Sequence, residues 1–426
     1  ALNSATGVDL STTSNVGTYA DAIAIAGQAG SNGFSSGNYE LTYVAGNLVV
    51  NQRAVTLTAL TQERIYGDAM ALDETAFTVT DLDGDSALPN GEVVDTVTLN
   101  TDAGANVGVY ADAIAITGQA GSNGFSASNY DLSYVAGDLV VSQRAVTLTA
   151  SEQNRAYGDT MVLDETAFTV TDLDGDSVLP NGEVIDTVAL ISATGVDVAT
   201  TSDADTYADE IEITGQSGSN GFDEDNYILT YVSGDLIVNR RALTLTALPQ
   251  ERAYGETLVF DVTAFTVADV DGDAVLPNGE RIDTVTEISA TGVAAATTAE
   301  VGTYADEIEI TGQSGSNGFD AGNYNLSYVT GDLLVNQRAV ILTASQQERA
   351  YGDTMVLDER AFTVRDLGVD GATDLPNGEV VDTVALNSVN AIDTTTTANV
   401  GGYGDELEIT GQSGSNGFNA GNYDLT

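Results

Sequence analysis

The sequence predicts an all-β protein built from tandem immunoglobulin-like β-sandwich domains that are arranged end to end as an extended rod. Three observations predict it. Apolar and polar residues alternate in short runs, the same motifs return at nearly constant intervals, and Gly, Asn and Asp interrupt the runs. No stretch keeps a helical period, and six or seven short strands per repeat favour a sandwich. The alternative is a ubiquitin-like β-grasp module, whose helix would have to occupy residues 163–168.

Internal repeats define the domain organisation. The string SNGF occurs five times, at separations of 91, 97, 97 and 99 residues, which is close to the size of a small domain. Its Asn residues are Asn32, Asn123, Asn220, Asn317 and Asn416. We divide the chain into a partial repeat at 1–52, three β-sandwich repeats at 53–143, 144–240 and 241–337, and a repeat at 338–426 that lacks its last strand. Because both ends fall inside a repeat, we expect a window cut from a longer protein whose signal and anchor lie elsewhere.

The period-two runs predict the individual strands. In AVTLTA (145–150), Val146 and Leu148 face one side of the strand, and Thr147 and Thr149 face the other. Only Ser233 and Gly234 separate the last two strands of that repeat, which predicts a hairpin. The further predicted strands are 167–173, 183–191, 209–215, 227–232 and 235–240.

The composition excludes several classes of function. The chain has a formal net charge of −52, its 12 basic residues are all Arg, and it contains no Lys, His, Cys or Trp. The usual general bases and thiol nucleophiles are therefore missing, and the carboxylates recur in modules too small to form a deep cleft, so we predict no enzyme activity. Nucleic acid and anionic membranes would be repelled. No apolar run approaches the roughly 18 residues of a membrane span.

An acidic phrase in each repeat predicts a calcium site. DLDGDSALPNGE (81–92) carries Asp at positions 1, 3 and 5 and Glu at position 12, which is the ligand spacing of an EF-hand loop. Carboxylates gathered in one loop repel one another unless a cation separates them. The alternative is a polar turn, because position 6 is not Gly and the phrase is rich in turn-forming residues. The predicted ligands are Asp81, Asp83, Asp85 and Glu92; Asp172, Asp174, Asp176 and Glu183; Asp269, Asp271, Asp273 and Glu280; and, with two extra residues in the loop, Asp366, Asp370, Asp374 and Glu379.

Arginines mark the junctions between repeats. The link at 139–150 contains no Gly or Pro and should have little freedom. We expect both sets of arginines to pair with acidic loops at the interface; the alternative is a solvated strand end, worth about 0 to 1 kcal/mol per exposed pair. The first set is Arg53, Arg144, Arg241 and Arg338, and a second set follows eleven positions later at Arg64, Arg155, Arg252 and Arg349.

The repeat resembles the bacterial MBG module of the YGX type. Its markers are Tyr157-Gly158, the turn Gly175-Asp176-Ser177, the mid-repeat Tyr207 and the closing phrase NYILTYVSGDLIV that starts at Asn226. Modules of this family stand in tandem in very large secreted bacterial surface proteins and adhesins. The resemblance implies an extracellular, structural or adhesive role at the bacterial cell surface.

We therefore expect a structural stalk or spacer of a secreted adhesin or extracellular matrix protein, stiffened by calcium. The alternatives are a subunit of an extracellular filament or sheath, polymerising by strand exchange, and a repeated glycan-binding or protein-binding module. The expected partners are neighbouring repeats, other copies in a fibre or biofilm matrix, and a glycan or surface ligand bound through domains outside this window. We expect no nucleic acid and no membrane insertion.

Overall fold

The computed structural model describes residues 1–102, 104, 106–368 and 372–426. These residues form short strands in several small sheets, and their only helical segments are three-residue 3-10 turns. The prediction of an all-β fold is confirmed. The immunoglobulin-like sandwich stays a prediction.

The strands are numbered here in chain order. The partial repeat contains β1 (Leu2–Ser4), β2 (Gly17–Ile25) and β3 (Gly46–Val50). Repeat 53–143 contains β4 (Arg53–Ala59), β5 (Gln62–Ile65), β6 (Phe77–Asp81), β7 (Val93–Asn100), β8 (Gly108–Ser122), β9 (Tyr130–Val135) and β10 (Gly137–Ser142). Repeat 144–240 contains β11 (Arg144–Ala150), β12 (Gln153–Ala156), β13 (Phe168–Asp172), β14 (Val184–Ser192), β15 (Thr206–Ser219), β16 (Tyr227–Val232) and β17 (Gly234–Asn239).

The remaining two repeats follow the same order. Repeat 241–337 contains β18 (Arg241–Ala247), β19 (Gln250–Ala253), β20 (Phe265–Asp269), β21 (Arg281–Ser289), β22 (Gly302–Ser316), β23 (Tyr324–Val329) and β24 (Gly331–Asn336). Repeat 338–426 contains β25 (Arg338–Ala344), β26 (Phe362–Asp366), β27 (Val380–Ser388), β28 (Leu407–Ser415) and β29 (Tyr423–Leu425). The 3-10 turns are Ser36–Asn38, Pro89–Gly91, Ala127–Asn129, Pro180–Gly182, Glu224–Asn226, Pro277–Gly279, Val293–Ala295, Ala321–Asn323, Pro376–Gly378 and Ala420–Asn422.

Two sheets make up a full repeat. In repeat 53–143, β4 lies between antiparallel β6 and parallel β9, and the second sheet has the order β5, β10, β8, β7. Repeat 241–337 has the same pairings, with β20, β18, β23 in one sheet and β19, β24, β22, β21 in the other. Parallel pairing sets the start of the first strand beside the start of a late strand, so Arg53 lies beside Tyr130. The closing strand pairs in parallel with the second strand, so Ser142 lies beside Ile65.

The predicted hairpin at the end of the repeat is wrong. β9 pairs with β4 whereas β10 pairs with β5 and β8, so the chain crosses from one sheet to the other at a single residue. The same crossing occurs between residues 227–232 and 235–240, because β16 pairs with β11 in one sheet and β17 pairs with β12 in the other. A Cβ on Gly234 would lie 2.6 Å from the carbonyl oxygen of Ala150, so the glycine permits a close backbone approach instead of a tight turn.

The period-two pattern places the core as predicted. Val146 is 2% exposed and Leu148 is fully buried, while Thr147 and Thr149 remain partly exposed on the other face. Burying one such aliphatic side chain stabilises a fold by about 1.5 to 3 kcal/mol. Residues 163–168 form a turn in which the Asp164 carboxylate accepts from Thr166, so the helix that a β-grasp module requires is not formed there.

The chain separates into two compact units. The first comprises 1–151, 164–191 and 211–234, and the second comprises 152–163, 192–210 and 235–426. The first unit holds all of repeat 53–143, and the second holds all of repeats 241–337 and 338–426. In the last repeat, β27 and β28 form a two-stranded sheet and residues 345–350 form no strand. In the three full repeats, the residues equivalent to 345–350 form β5, β12 and β19. Each of these strands pairs with the last strand of its repeat, and repeat 338–426 lacks that last strand.

Candidate functional site

Buried hydrogen bonds and ion pairs link neighbouring repeats at their junctions, 143/144, 240/241 and 337/338. We call each junction a seam. At the first seam, the carboxylate of Glu183 accepts hydrogen bonds from Tyr66 of the preceding repeat and, at 2.6 Å, from Tyr227 of its own repeat. The two tyrosine rings meet edge to face with their centroids 5.5 Å apart. Glu183 is 5% exposed, so this carboxylate is a buried bridge between two repeats.

The other two seams repeat this arrangement. Glu280 accepts from Tyr157 and Tyr324, and Glu379 accepts from Tyr254 and Tyr423. Both glutamates are 5% exposed. Glu92, in contrast, has a single tyrosine partner, Tyr130, and is partly exposed.

Two local motifs create the bridge. In the PNG turn, Pro180 begins a 3-10 turn and Asn181 has a left-handed φ of 60°, which turns the chain so that Glu183, the residue after the turn, points inward. The glycine that follows Tyr66 faces this turn. A Cβ on Gly67 would lie 2.3 Å from the Pro180 ring, so the YG pair of one repeat fits the PNG turn of the next.

The seam arginines Arg144, Arg241 and Arg338 pair with acids of both repeats, as predicted. For the second set the prediction is wrong: among the described contacts these arginines donate to backbone carbonyl oxygens, at Asp68, Val196, Val293 and Thr395. Arg144 bonds to Asp172 at 2.8 Å within its own repeat, to Asp68 at 2.6 Å in the preceding repeat, and to Asp174. Arg53 contacts only its own repeat among the described residues, through Asp81 and Asp83. The equivalent pairs are Arg241 with Asp159, Asp269 and Asp271, and Arg338 with Glu256 and Asp366.

Burial and ion pairing act in opposite directions at Arg144. Burial disfavours its charged form, but hydrogen bonds to Asp172 and Asp68 outweigh this effect and raise its pKa. Burial likewise opposes ionisation of Asp172, yet bonds from Arg144 and from backbone N–H groups hold the pKa of this carboxyl below its usual value. Both groups therefore remain charged, and the buried cluster stays an ion pair.

The predicted calcium ligands divide between two environments. The first aspartate of each loop, such as Asp172, is buried on the seam arginine and accepts backbone N–H groups at 2.9 and 3.0 Å from Asp174 and Asp176. Asp174 also contacts the arginine, and the side chain of Asp176 is exposed. The glutamate that ends the loop, Glu183, faces the tyrosines. Loop 269–280 places its residues in the same way, and loop 81–92 differs only in that Glu92 accepts from the single tyrosine Tyr130.

In the last repeat, Asp366 is buried on Arg338, Asp374 is exposed, Glu379 faces the tyrosines and Asp370 lies outside the described residues. Across the described part of the chain, no three or more Asp, Glu, His or Cys side chains are grouped to hold a metal ion. Calcium binding stays a prediction.

Sequence reasoning missed two features of the seams. The tyrosine–glutamate bridge joins residues 117 positions apart, and its signal was the recurrence of YG and PNGE once per repeat. The second is a buried asparagine, such as Asn226, whose side chain accepts at 2.9 Å from the backbone N–H of Val107 in the preceding repeat. Asn323 and Asn422 accept from Ala204 and Val301 in the same manner.

The seam tyrosines predict a loss of stability at alkaline pH. Burial, and then the bond to Glu280, raise the pKa of Tyr157 from 10.0 to about 12. In the unfolded chain this phenol ionises at a lower pH than in the folded chain. The stability that the seam contributes is therefore full below about pH 10 and falls as the pH rises towards 12. A spectroscopic tyrosinate titration should show a class of tyrosines that ionises last and together with unfolding. In Tyr157→Phe this late class should shrink; an unchanged titration would contradict the assignment.

Two repeats of the chain match a known protein family. The family model described as MBG domain (YGX type) matches residues 55–140 and 243–334. No curated protein matches the chain. Among solved structures, the Bacillus anthracis TIE protein is 9% identical over 68% of this chain and 53% of its own, with a TM-score of 0.17. The M60 catalytic domain with the CBM51-1 and CBM51-2 domains from Clostridium perfringens ZmpB is 9% identical over 82% of this chain and 37% of its own, with a TM-score of 0.11.

The chain spans about half of the length of the first of these structures and less of the second, and TM-scores this low assign neither fold nor function. No helix in the described residues has both the length and the apolar character to cross a membrane. The two family matches cover the YG pair, the GDS or GDA turn and the YVxGxL part of the closing phrase of their repeats. Repeats 53–143 and 241–337 of this chain match the MBG domain family of the YGX type.

Proposed function

We propose that the chain is a structural spacer, a stalk segment of a secreted adhesin or extracellular matrix protein at a bacterial surface. The observation that carries the proposal is the repetition of one set of contacts at every seam. At each of them a buried glutamate takes hydrogen bonds from tyrosines of two repeats, and an arginine pairs with acids of both. Hydrogen bonds to charged groups are directional, so such contacts fix the orientation of neighbouring repeats.

The remaining properties suit a spacer. A net charge of −52 keeps like chains apart and the protein soluble. The chain offers no His, Lys or Cys for catalysis, and the buried acids Glu183, Glu280 and Glu379 are occupied in joining repeats. The proposed role is therefore mechanical, and it requires no reaction.

Small-angle scattering of the intact chain tests this function. We expect a maximum dimension well above that of a compact body of 426 residues, unchanged by protein concentration. A compact particle would contradict the spacer, and growth with concentration would favour the filament.

We also propose that calcium stiffens the chain through the acidic loops. In the structure, the exposed carboxylates of Asp174 and Asp176 are the groups of one loop most accessible to an ion. At tenfold excess over its dissociation constant, calcium bound only to the folded state would add about 1.4 kcal/mol to stability.

Melting of the chain in calcium and in chelator tests this proposal. We expect a higher melting temperature in calcium, and a smaller shift after Asp174→Ala and Asp176→Ala. Asp186→Ala, an exposed carboxylate outside the loop, serves as the control. Identical melting in calcium and chelator would leave the loop as an arginine-paired turn.

A further inference from the structure

Each repeat from residue 53 onwards contains an Asn-Gly pair in its PNG turn. The sequence LPNGE is identical at 88–92, 179–183, 276–280 and 375–379. Asn-Gly is the dipeptide in which an asparagine side chain loses ammonia most readily, because glycine has no Cβ to shield its backbone nitrogen. Since the four sequences are equal, differences in reactivity among them must come from the structure.

The reaction begins at the backbone nitrogen of the glycine. This nitrogen attacks the side-chain carbon Cγ of the asparagine, the bond between Cγ and Nδ2 breaks, and ammonia leaves with the proton that the glycine nitrogen gives up. Water then opens the five-membered imide at either of its two carbonyl carbons. The products are aspartate and isoaspartate, and isoaspartate lengthens the backbone by one carbon atom.

The conformation of the PNG turn prevents this attack. Asn278 has a φ of 59° and a ψ of 9°, and Asn377 has a φ of 59° and a ψ of 12°. A ψ near zero places the nitrogen of the following glycine beside the backbone nitrogen of the asparagine and away from its Cβ. The imide ring therefore closes only after ψ rotates, and this rotation requires the turn to open.

Seam contacts hold the turn closed on both sides. A Cβ on Gly158 would lie 2.4 Å from the ring of Pro277, so the YG pair of the preceding repeat packs against the first residue of the turn. On the other side of the turn, Glu280 is 5% exposed and accepts from Tyr157 and Tyr324. The two residues that flank the Asn-Gly pair are thus fixed by the seam.

The asparagine amide itself is also anchored to the preceding repeat. Asn278 donates at 3.1 Å to the carbonyl oxygen of Thr200. Asn377 donates at 3.1 Å to the carbonyl oxygen of Thr297 and accepts at 2.7 Å from its hydroxyl. Both asparagines are exposed, so water has access to them, and the contacts across the seam are what keeps the amide away from the glycine nitrogen.

The first PNG turn, at 89–91, has less of this support. Asn90 has a φ of 58° and a ψ of 12°, so its geometry matches the other turns, and it donates at 2.8 Å to the carbonyl oxygen of Thr12. Glu92, however, accepts from the single tyrosine Tyr130 and is partly exposed. This turn should therefore open more often than the turns at the seams.

We propose that the asparagines of the PNG turns are deamidation sites that an intact seam protects. When a seam opens, ψ rotates and the Asn-Gly pair reacts. The product has no amide N–H for the threonine carbonyl, and its new carboxylate stands near the glutamate of the seam, which it repels. Opening of a seam is thereby recorded as a permanent covalent change. This inference does not depend on the proposed spacer function.

Peptide mapping by mass spectrometry tests the proposal on the intact chain, kept folded in mildly alkaline buffer. We expect Asn90 to be converted at least about tenfold faster than Asn278 and Asn377, which is the factor that about 1.4 kcal/mol of additional seam contact gives. In urea, where the seams are absent, the LPNGE asparagines should react at equal rates. Equal rates in the folded chain, or unequal rates in urea, would overturn the proposal.

A variant with one altered seam supplies the matched control. Glu379→Ala removes the acceptor of Tyr254 and Tyr423 and should accelerate conversion of Asn377 by about tenfold, while Asn278 in the unaltered seam keeps its rate. Tyr254→Phe keeps the ring, removes one of the two bonds, and should give a smaller acceleration at Asn377 alone. If Asn377 stays as slow as in the parent chain, or if Asn278 is accelerated equally, the seam does not protect the turn and the proposal is overturned.

Discussion

Replacement of Arg144 by methionine is expected to lower the free energy of unfolding of the first unit by about 3 kcal/mol. The side chain of Arg144 is 6% exposed and that of its partner Asp172 is 3% exposed, so the substitution leaves a buried carboxylate without its cation. It also removes the bond to Asp68 in the preceding repeat. Urea denaturation, followed by hydrogen exchange in β11 and β13, measures the loss where it arises.

Arg53 provides a matched control at the equivalent position. Its side chain is 32% exposed and, among the described residues, it pairs only within its own repeat. Arg53→Met should therefore destabilise the chain less than Arg144→Met. Equal losses would mean that contact with the preceding repeat adds nothing, against our account of the seam.

Glu287→Leu is expected to stabilise the second unit by about 2 kcal/mol. Glu287 is 7% exposed in β21, and one of its carboxylate oxygens is buried without a hydrogen-bond partner in the structure. The other accepts from Gln250 at 2.6 Å. Repeats 53–143, 144–240 and 338–426 have Leu99, Leu190 and Leu386 at this position. Leucine would restore apolar packing and remove an unsatisfied polar group.

The gain from Glu287→Leu should depend on pH. Burial, and to a lesser degree Asp261, raise the pKa of Glu287 above its usual 4.5, against the opposing bond from Gln250. The folded state therefore favours the protonated acid, and the parent chain loses stability as the pH rises from the unfolded pKa through the folded one. Melting at pH values on both sides of this interval should show a larger gain at the higher pH.

The reciprocal substitution is the control. Leu190→Glu places the same acid in repeat 144–240 and should destabilise it, increasingly as the pH rises. If Glu287→Leu leaves the melting temperature unchanged at every pH, the buried carboxylate has a partner that the structure does not contain.

Local patterns predicted the strands because alternation depends on neighbouring residues alone. Val146 and Leu148 face the core as the period-two rule requires. The prediction of a hairpin from the two-residue link Ser233-Gly234 was wrong, since such a link is compatible with both a hairpin and a crossing between sheets. What decides between them is the parallel pairing of β11 with β16, which joins residues more than 80 positions apart.

The contacts at the seams could not be predicted from the spacing of residues within one acidic loop. The acidic loop predicts a cation because its aspartates stand two residues apart, but the cation in contact with Asp172 is Arg144, 28 positions earlier in the chain. Glu183 completes the calcium pattern in sequence, and in space it meets Tyr66 of another repeat. Such contacts can be predicted only if two motifs that each occur once per repeat, such as YG and PNGE, are assumed to contact each other across the junction.

Stiffness of the seam is tested most directly by the distribution of distances across it. The chain contains no Cys, so Thr266→Cys and Thr363→Cys introduce the only two thiols for spin labels in the intact protein, on the exposed faces of β20 and β26. Our account predicts a single narrow distance distribution, which broadens when Glu379→Ala removes the bridge between Tyr254 and Tyr423. A distribution that is already broad with Glu379 in place would contradict it.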